Sequence, residues 1–300
     1  MATMRAVRAH AATPCGLALE TLAVPRPAAG EVVVEVHAAA ITRGELSWLE
    51  DRLPAVPSYE LSGLVADVGP DVDALSVADA VYGLMDFARD GAAAEYALIA
   101  ASGLAAKPAT LDDVASAALP LAGLSAWQAL FDHGHLAPGE RVVIHGATGG
   151  VGHLGTQLAR WRGAHVIATA SAERRDEALR LGAHEALDAK RWLDAPLDPV
   201  DLVFDTVGGD LLAQSAPVVR DGGRIVSVAE EPPQQLTRAA DAHYFVVEPN
   251  QTQLRELARL ADGGIVRPAV DAVYGLDDAG AAFERSMQRG KRGKVVLRVV

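Results

Sequence analysis

Arg141-Val142-Val143-Ile144-His145-Gly146-Ala147-Thr148-Gly149-Gly150-Val151-Gly152-His153-Leu154-Gly155 is the stretch that organises the chain. The apolar run Val142–Ile144 reads as a strand buried on both faces. Glycines follow at once, and Thr156-Gln157-Leu158-Ala159-Arg160-Trp161 then reads as a helix. Strand, glycine turn and helix are the context that a dinucleotide fingerprint requires. Gly149 and Gly150 let backbone approach a pyrophosphate with no Cβ in the way, and the free N–H groups of the helix start face the anion. Two registers fit. Gly150-x-Gly152-x-x-Gly155 matches the glycine pattern literally but begins inside the helix. Ala147-x-Gly149-x-x-Gly152 begins where the strand ends and is preferred, so the expected contacts are Ala147, Thr148, Gly149, Gly150 and Val151.

Working downstream, the strand Val166–Thr169 ends in Ala170-Ser171, with Arg174 and Arg175 just beyond. Enzymes that bind NAD usually place Asp or Glu at that strand end, on the ribose hydroxyls. A hydroxyl and a guanidinium suit a ribose 2′-phosphate instead, because arginine can donate two hydrogen bonds to it. The plainer reading is two solvated arginines with Glu173 and Asp176 as partners. Further alternation follows: a helix over 173–181, strands near Glu185–Leu187, Leu202–Asp205, Arg224–Val228 and Tyr244–Val247, and a helix over Thr252–Ala261. This predicts a doubly wound parallel sheet.

Upstream, short β-branched runs separated by Gly, Pro and Asp make the first hundred residues a small β-rich domain. Near residue 112 helix formers take over behind an acidic first turn, and Pro120 ends that pattern. Leu124–Phe131 reads as a second helix. The tail returns to strand character at Val270–Tyr274 and Gly293–Val299. The expected organisation is α/β: a β-rich domain over 1–118, an inserted Rossmann domain over 119–264, and a return to the first domain over 265–300.

Composition narrows the partners. The 300 residues carry a net charge of -12 with no basic run, which argues against nucleic acid. The single cysteine, Cys15, excludes an intramolecular disulfide and any multi-cysteine metal site. Met1–Val7 lacks a long apolar leader core, and no apolar stretch is long enough to span a bilayer. A cytoplasmic protein with no membrane partner is expected.

Several segments together resemble the medium-chain dehydrogenase/reductase superfamily, in its zinc-independent, quinone oxidoreductase-like branch. They are Val36–Thr42, Pro57–Gly63, Asp90–Tyr96, Leu119–Ala126, Gly146–Gly152, Leu181-Gly182-Ala183, Asp205–Gly209 and Gly293–Leu297. The likeness covers nearly the whole chain. It implies a GroES-like substrate domain with a Rossmann domain inserted before its last part. The family pattern favours Arg175 for the 2′-phosphate, and implies Ser125 near the nicotinamide and Phe245, Val246 and Val247 on a strand passing it. It puts Val207 in a turn on the ribose side, and brings Lys294 either near the cofactor or into solvent.

Departures from the pattern are as informative. Zinc-dependent relatives carry a cysteine near Thr42, a histidine where Tyr59 stands and a four-cysteine loop, so the resemblance implies no metal ligand here. The zinc-free branch often has asparagine at Thr42, and tyrosine where this chain has Ala189. Tyr59, at a former ligand position, is expected to face substrate, where a phenol could bond a carbonyl or donate a proton. Thr42 is the second catalytic candidate and a cofactor contact. Glu60 reads as structural, and His133-x-His135 as a solvated loop.

The resemblance implies an NADP(H)-dependent reductase of a conjugated carbonyl: a small-molecule quinone, enone, alkenal or enoyl thioester. A zinc-free tailoring reductase or dehydrogenase of a biosynthetic pathway is the first rival. A catalytically silent module that binds NADPH is the second. A homodimer is expected through the apolar run Tyr244–Val247, taken as an exposed sheet edge.

Overall fold

The computed structural model describes residues 2–300, the side chains of Arg238 and Ala239 apart. Two compact units divide the chain. One takes the chain up to Leu121, Pro249–Gly264 and Pro268–Val300; the other takes Ala122–Glu248 and Ile265–Arg267.

The first unit is built on Glu31–Ile41, a long strand with most of its side chains buried. Its first half pairs with Tyr96–Ala100 and its second half with Lys294–Arg298, both antiparallel. Glu60–Val68 runs antiparallel along it, and Ala80–Leu84 and Leu104–Ala106 extend the sheet beyond. The last strand of the chain therefore closes onto an early one. Gly63 sits where a Cβ would come within 2.0 Å of the Glu35 carbonyl oxygen, at a shift in strand register, so no side chain fits there. The register has a functional consequence. Ala40 faces Glu60 and Ile41 faces Val295, so Thr42, Glu60 and Lys294 lie at one end of the sheet.

The helix Asp113–Ala117 starts as expected, the Asp112 carboxylate accepting from the Ala115 N–H at 2.7 Å. Val114, Ala117 and Ala118 pack on Ala38, Ala40 and Val296. Pro120, however, opens a helix over Pro120–Trp127 as well as closing the pattern before it. With no N–H and a φ already near helical, proline suits a first helical position. The helix then widens over Gln128–His133 into a π turn. Gln251–Asp262 is a helix, as the alternation predicts, but it belongs to the first unit. Tyr82 Oη donates to the Leu254 carbonyl at 2.5 Å, and Thr110 Oγ1 donates to Asp262 at 2.9 Å. Those partners lie far away in the chain, where no periodicity could reveal them.

The second unit is a six-stranded parallel sheet. Its spatial order is Glu185–Asp188, His165–Ala170, Arg141–His145, Val200–Asp205, Val219–Ser227 and Asp241–Tyr244. Order reverses between Arg141–His145 and Val200–Asp205. In doubly wound sheets ligands bind beyond the carboxyl ends of the strands at such a switch point.

One strand expectation fails. The edge strand is Asp241–Tyr244; Phe245, Val246 and Val247 lie beyond it, with Val246 56% exposed. The last sheet bond runs from the Phe245 N–H to the Ser227 carbonyl at 3.3 Å. The Gln128 amide then clamps Glu248 on both sides, accepting from its N–H at 3.0 Å and donating to its carbonyl at 2.8 Å. A side chain thus replaces the strand ladder, and the apolar run is not the sheet edge. Among the described residues no helix is long and apolar enough to cross a membrane.

Candidate functional site

In the second unit the strand Arg141–His145 delivers its chain into Gly146, which has a φ of +71°. A Cβ there would lie 2.7 Å from Thr206 Oγ1. The turn ends at Gly152, the first residue of a ten-residue helix, where a Cβ would meet the Gly146 carbonyl oxygen at 2.2 Å. Three residues on, a Gly155 Cβ would press to 2.8 Å from the Phe204 ring. The glycines therefore draw the helix close against the strand, and the turn register beginning at Ala147 is the one outside the helix. The Ala147 N–H donates to the Thr169 carbonyl at 3.1 Å and the Gly149 N–H to the Gly146 carbonyl at 2.9 Å. Among the described residues the N–H groups of Thr148, Gly150 and Val151 have no acceptor. Three unclaimed donors ahead of a helix N-terminus match the needs of a pyrophosphate.

At the end of His165–Ala170, Ser171 and Arg175 are exposed. Arg174 is half-buried and pairs with Glu177 at 3.8 Å. The Glu173 carboxylate is held below its usual range by its own backbone N–H and by the Ser171 hydroxyl. Val207 is exposed in the turn after Val200–Asp205. The buried Asp205 carboxylate accepts from the Gly208 N–H at 3.0 Å, from Val207 at 3.2 Å and from Ser227 Oγ at 2.8 Å. Burial pushes that carboxyl up while these donors pull it back. Ser125 is buried in its helix, Phe245 is half-buried against His133 with ring centres 4.3 Å apart, and Val247 is buried.

The first unit assembles a second group. Lys294 Nζ pairs with Glu60 Oε1 and donates to Thr42 Oγ1 at 2.7 Å. Glu60 Oε2 accepts from the Leu121 N–H at 3.0 Å. Glu45 Oε2 accepts from the Thr42 N–H at 2.8 Å and its Oε1 from the Ser58 N–H at 3.0 Å. Glu45, Glu60 and Lys294 are all buried. Burial pushes the Glu45 carboxyl up to about 8, opposed by the Thr42 N–H and by the Lys294 charge.

Tyr59 is 0% exposed, contrary to the expectation that it faces substrate. Its ring packs among Phe87 and Trp48 at 5.2 and 6.1 Å between centres, and its oxygen accepts from Arg52 Nη2 at 2.7 Å. Burial raises its phenol to about 12, with Arg52 pulling the other way. Among the described residues no three His, Cys, Asp or Glu side chains are grouped to hold a metal.

Residues 28–109 match the family described as "Alcohol dehydrogenase GroES-like domain", and residues 181–297 that described as "Zinc-binding dehydrogenase". A probable zinc-binding oxidoreductase of Arthroderma benhamiae is 32% identical over 95% of this chain and 93% of its own length. The quinone oxidoreductase of Coxiella burnetii superposes over 100% of both chains with a TM-score of 0.93 and 30% identity. The chain belongs to the medium-chain dehydrogenase/reductase superfamily, in its quinone oxidoreductase-like branch. An Arabidopsis thaliana protein named "NADPH-dependent alkenal/one oxidoreductase, chloroplastic" is 31% identical over 92% of this chain and 74% of its own.

Members of this superfamily are oxidoreductases that use a nicotinamide cofactor, and the chain is one of them. In this oxidoreductase the order of motifs along the sequence is a sound guide to fold and family. Glu45 carries no signal in the sequence, Asp205 stands out only as the start of the segment Asp205–Gly209, and Glu60 reads as structural. Isolated acids look solvated until the backbone N–H groups they accept from are known.

Proposed function

We propose that the protein is a zinc-independent reductase that uses NADPH to reduce a conjugated carbonyl: a quinone, enone, alkenal or enoyl thioester. The observation that carries this reading is the donor set at the glycine turn, followed one strand later by a hydroxyl and an exposed guanidinium. Thr148, Gly150 and Val151 would hold the pyrophosphate through backbone N–H groups, with Ala147 and Gly149 shaping the turn. Ser171 and Arg175 would take the 2′-phosphate, and Val207 would flank the ribose. Ser125, Phe245, Val246 and Val247 would lie toward the nicotinamide, with Thr42 the hydrogen-bond partner at the reacting end. The bound cofactor supplies a hydride. The chain's part is to orient it, exclude water and polarise the carbonyl with hydrogen-bond donors.

Two features support independence from zinc. Where zinc-dependent relatives carry cysteine and histidine, this chain has Thr42 and Tyr59, which are engaged by Lys294 and Arg52. A lysine ammonium 2.7 Å from Thr42 Oγ1 would also repel a divalent cation. The full burial of Tyr59 supports a packing role for it and leaves Thr42 as the polarising group. A conjugated carbonyl fits a site of this kind, since conjugation already activates the acceptor carbon. A cytoplasmic homodimer completes the proposal, with Asp241–Tyr244 as the available sheet edge.

The test is a fluorescence titration with NADPH and NADH, followed by a panel of quinones, enones, alkenals and enoyl thioesters. Oxidation of NADPH by at least one class is expected. Tight NADPH binding without turnover on any of them would refute the reductase, and equal affinity for NADH would refute the cofactor assignment.

A further inference from the structure

The buried ion pair of the first unit does more than fill the end of a sheet. A lysine ammonium has three N–H donors and no acceptor. In the 2.7 Å contact between Lys294 Nζ and Thr42 Oγ1, threonine must therefore be the acceptor. Its own hydroxyl proton is turned away from the lysine. That proton goes to Glu60 Oε1, to which the Thr42 hydroxyl donates at 3.5 Å, the long limit of a hydrogen bond; the same oxygen is already engaged by the ammonium, so a substrate carbonyl at ordinary hydrogen-bond distance would take the proton over. The other Glu60 oxygen accepts from the Leu121 N–H. Thr42 is also anchored through its backbone, the N–H donating to Glu45 Oε2 at 2.8 Å. A β-branched residue held at its N–H and its oxygen has little rotamer freedom left.

We infer that Lys294 is a positioning residue: it accepts nothing, donates to Thr42 Oγ1, and so commits the Thr42 hydroxyl to donating its proton to the carbonyl oxygen of the substrate. The inference rests on the proposed reading that Thr42 touches the reacting pair. The adjacent cation also strengthens the donor, because hydrogen bonds in a chain polarise one another in a low-dielectric site. The buried Glu60 carboxylate compensates the ammonium, so the arrangement brings a polarised O–H to the site rather than an unpaired charge.

The test uses the whole protein with NADP+ bound, so that nothing turns over, and the enal chromophore 4-(dimethylamino)cinnamaldehyde. Its absorbance moves to the red as its carbonyl oxygen accepts a stronger hydrogen bond. Lys294→Met alone leaves Glu60 buried without a cation and can fail to fold, so the variant is Lys294→Met/Glu60→Gln, with circular dichroism as the check on folding. A red shift is expected in the wild type, lost in Thr42→Val and lost in Lys294→Met/Glu60→Gln. Adding Thr42→Val to the double variant should change nothing further, because the two act through one hydroxyl.

With NADPH and an enone, each variant should lower kcat roughly tenfold with KM nearly unchanged, as expected for a contact that strengthens in the transition state. A shift that survives Lys294→Met/Glu60→Gln but not Thr42→Val overturns the role of Lys294 and leaves the reductase intact. A shift that survives Thr42→Val, or is absent from the wild type, overturns the donor assignment itself. A shift that needs both residues, in a protein that reduces no conjugated carbonyl, upholds the inference and refutes the reductase.

Discussion

Replacing Arg175 by alanine is the sharpest test of cofactor choice. Arg175 is exposed at the first position of the helix Arg175–Arg180. Its loss should leave folding within about 0.5 kcal/mol of wild type. A lost charge-assisted hydrogen bond costs about 1.5–3 kcal/mol, which is roughly a 10- to 150-fold loss of NADPH affinity. Solvent screening at an exposed side chain puts the expected loss near the lower end, about tenfold. NADH lacks the 2′-phosphate, so its affinity should change less than about twofold. Raising the salt concentration should shrink the difference between the two cofactors, since the contact is electrostatic and exposed. Fluorescence titration of both cofactors on wild type and variant gives the two ratios. Equal weakening of NADPH and NADH would refute the reasoning, because it would mean that Arg175 acts on a part common to both. The adjacent Arg174, already paired with Glu177, should matter less.

Chelator-treated protein should retain its activity and carry no stoichiometric zinc by elemental analysis; one tightly held ion per chain needed for turnover would overturn that expectation. Tyr59→Phe should lower stability by about 1–2 kcal/mol, because Arg52 loses a buried acceptor, and should leave kcat within about threefold; a large fall in kcat with unchanged stability would restore Tyr59 as a catalytic group. Burial pushes His145 from 6.5 down to about 3, between Thr169 and Ser215, so the unfolded chain binds the extra proton below the ordinary histidine range. Stability should therefore fall by about 2 kcal/mol between pH 7.5 and 5.0 from this residue, and urea unfolding of His145→Gln should show a correspondingly flatter pH dependence. Glu45, raised to about 8, acts with the opposite sign: its contribution is present at low pH and lost as pH rises through 8, so Glu45→Gln should gain stability relative to wild type at high pH. Light scattering at micromolar concentration should give the mass of a dimer; a monomer throughout the dilution series would refute it.

Local backbone chemistry was readable in the chain itself. A run such as Val142–Ile144 followed by Gly146, Gly149, Gly150 and Gly152 can hardly be anything but a buried strand, a tight turn and a close-packed helix. The reason is that allowed φ/ψ regions and side-chain periodicity act over a few residues. The order of such segments, with strand character returning at Lys294–Arg298, was enough for the nested architecture and the family. Ser171 and Arg175 stand out by the same local logic, and the proposal that they hold a 2′-phosphate draws on their place after the second strand of the sheet.

What lay beyond reach was every feature set by strand register or by contacts between distant segments. Thr42 and Lys294 are 252 positions apart and meet because Ile41 pairs with Val295. Glu45 turns inward because the N–H groups of Thr42 and Ser58 need an acceptor in a space closed to water. Phe245–Val247 has the composition of a strand, yet the Gln128 amide takes the Glu248 backbone that a further ladder would have used. Tyr59 carries a phenol suited to catalysis, but Arg52, Phe87 and Trp48 enclose it. Sequence spacing specifies what each segment can form by itself. Which polar groups must satisfy one another is decided only when the sheets close and water leaves.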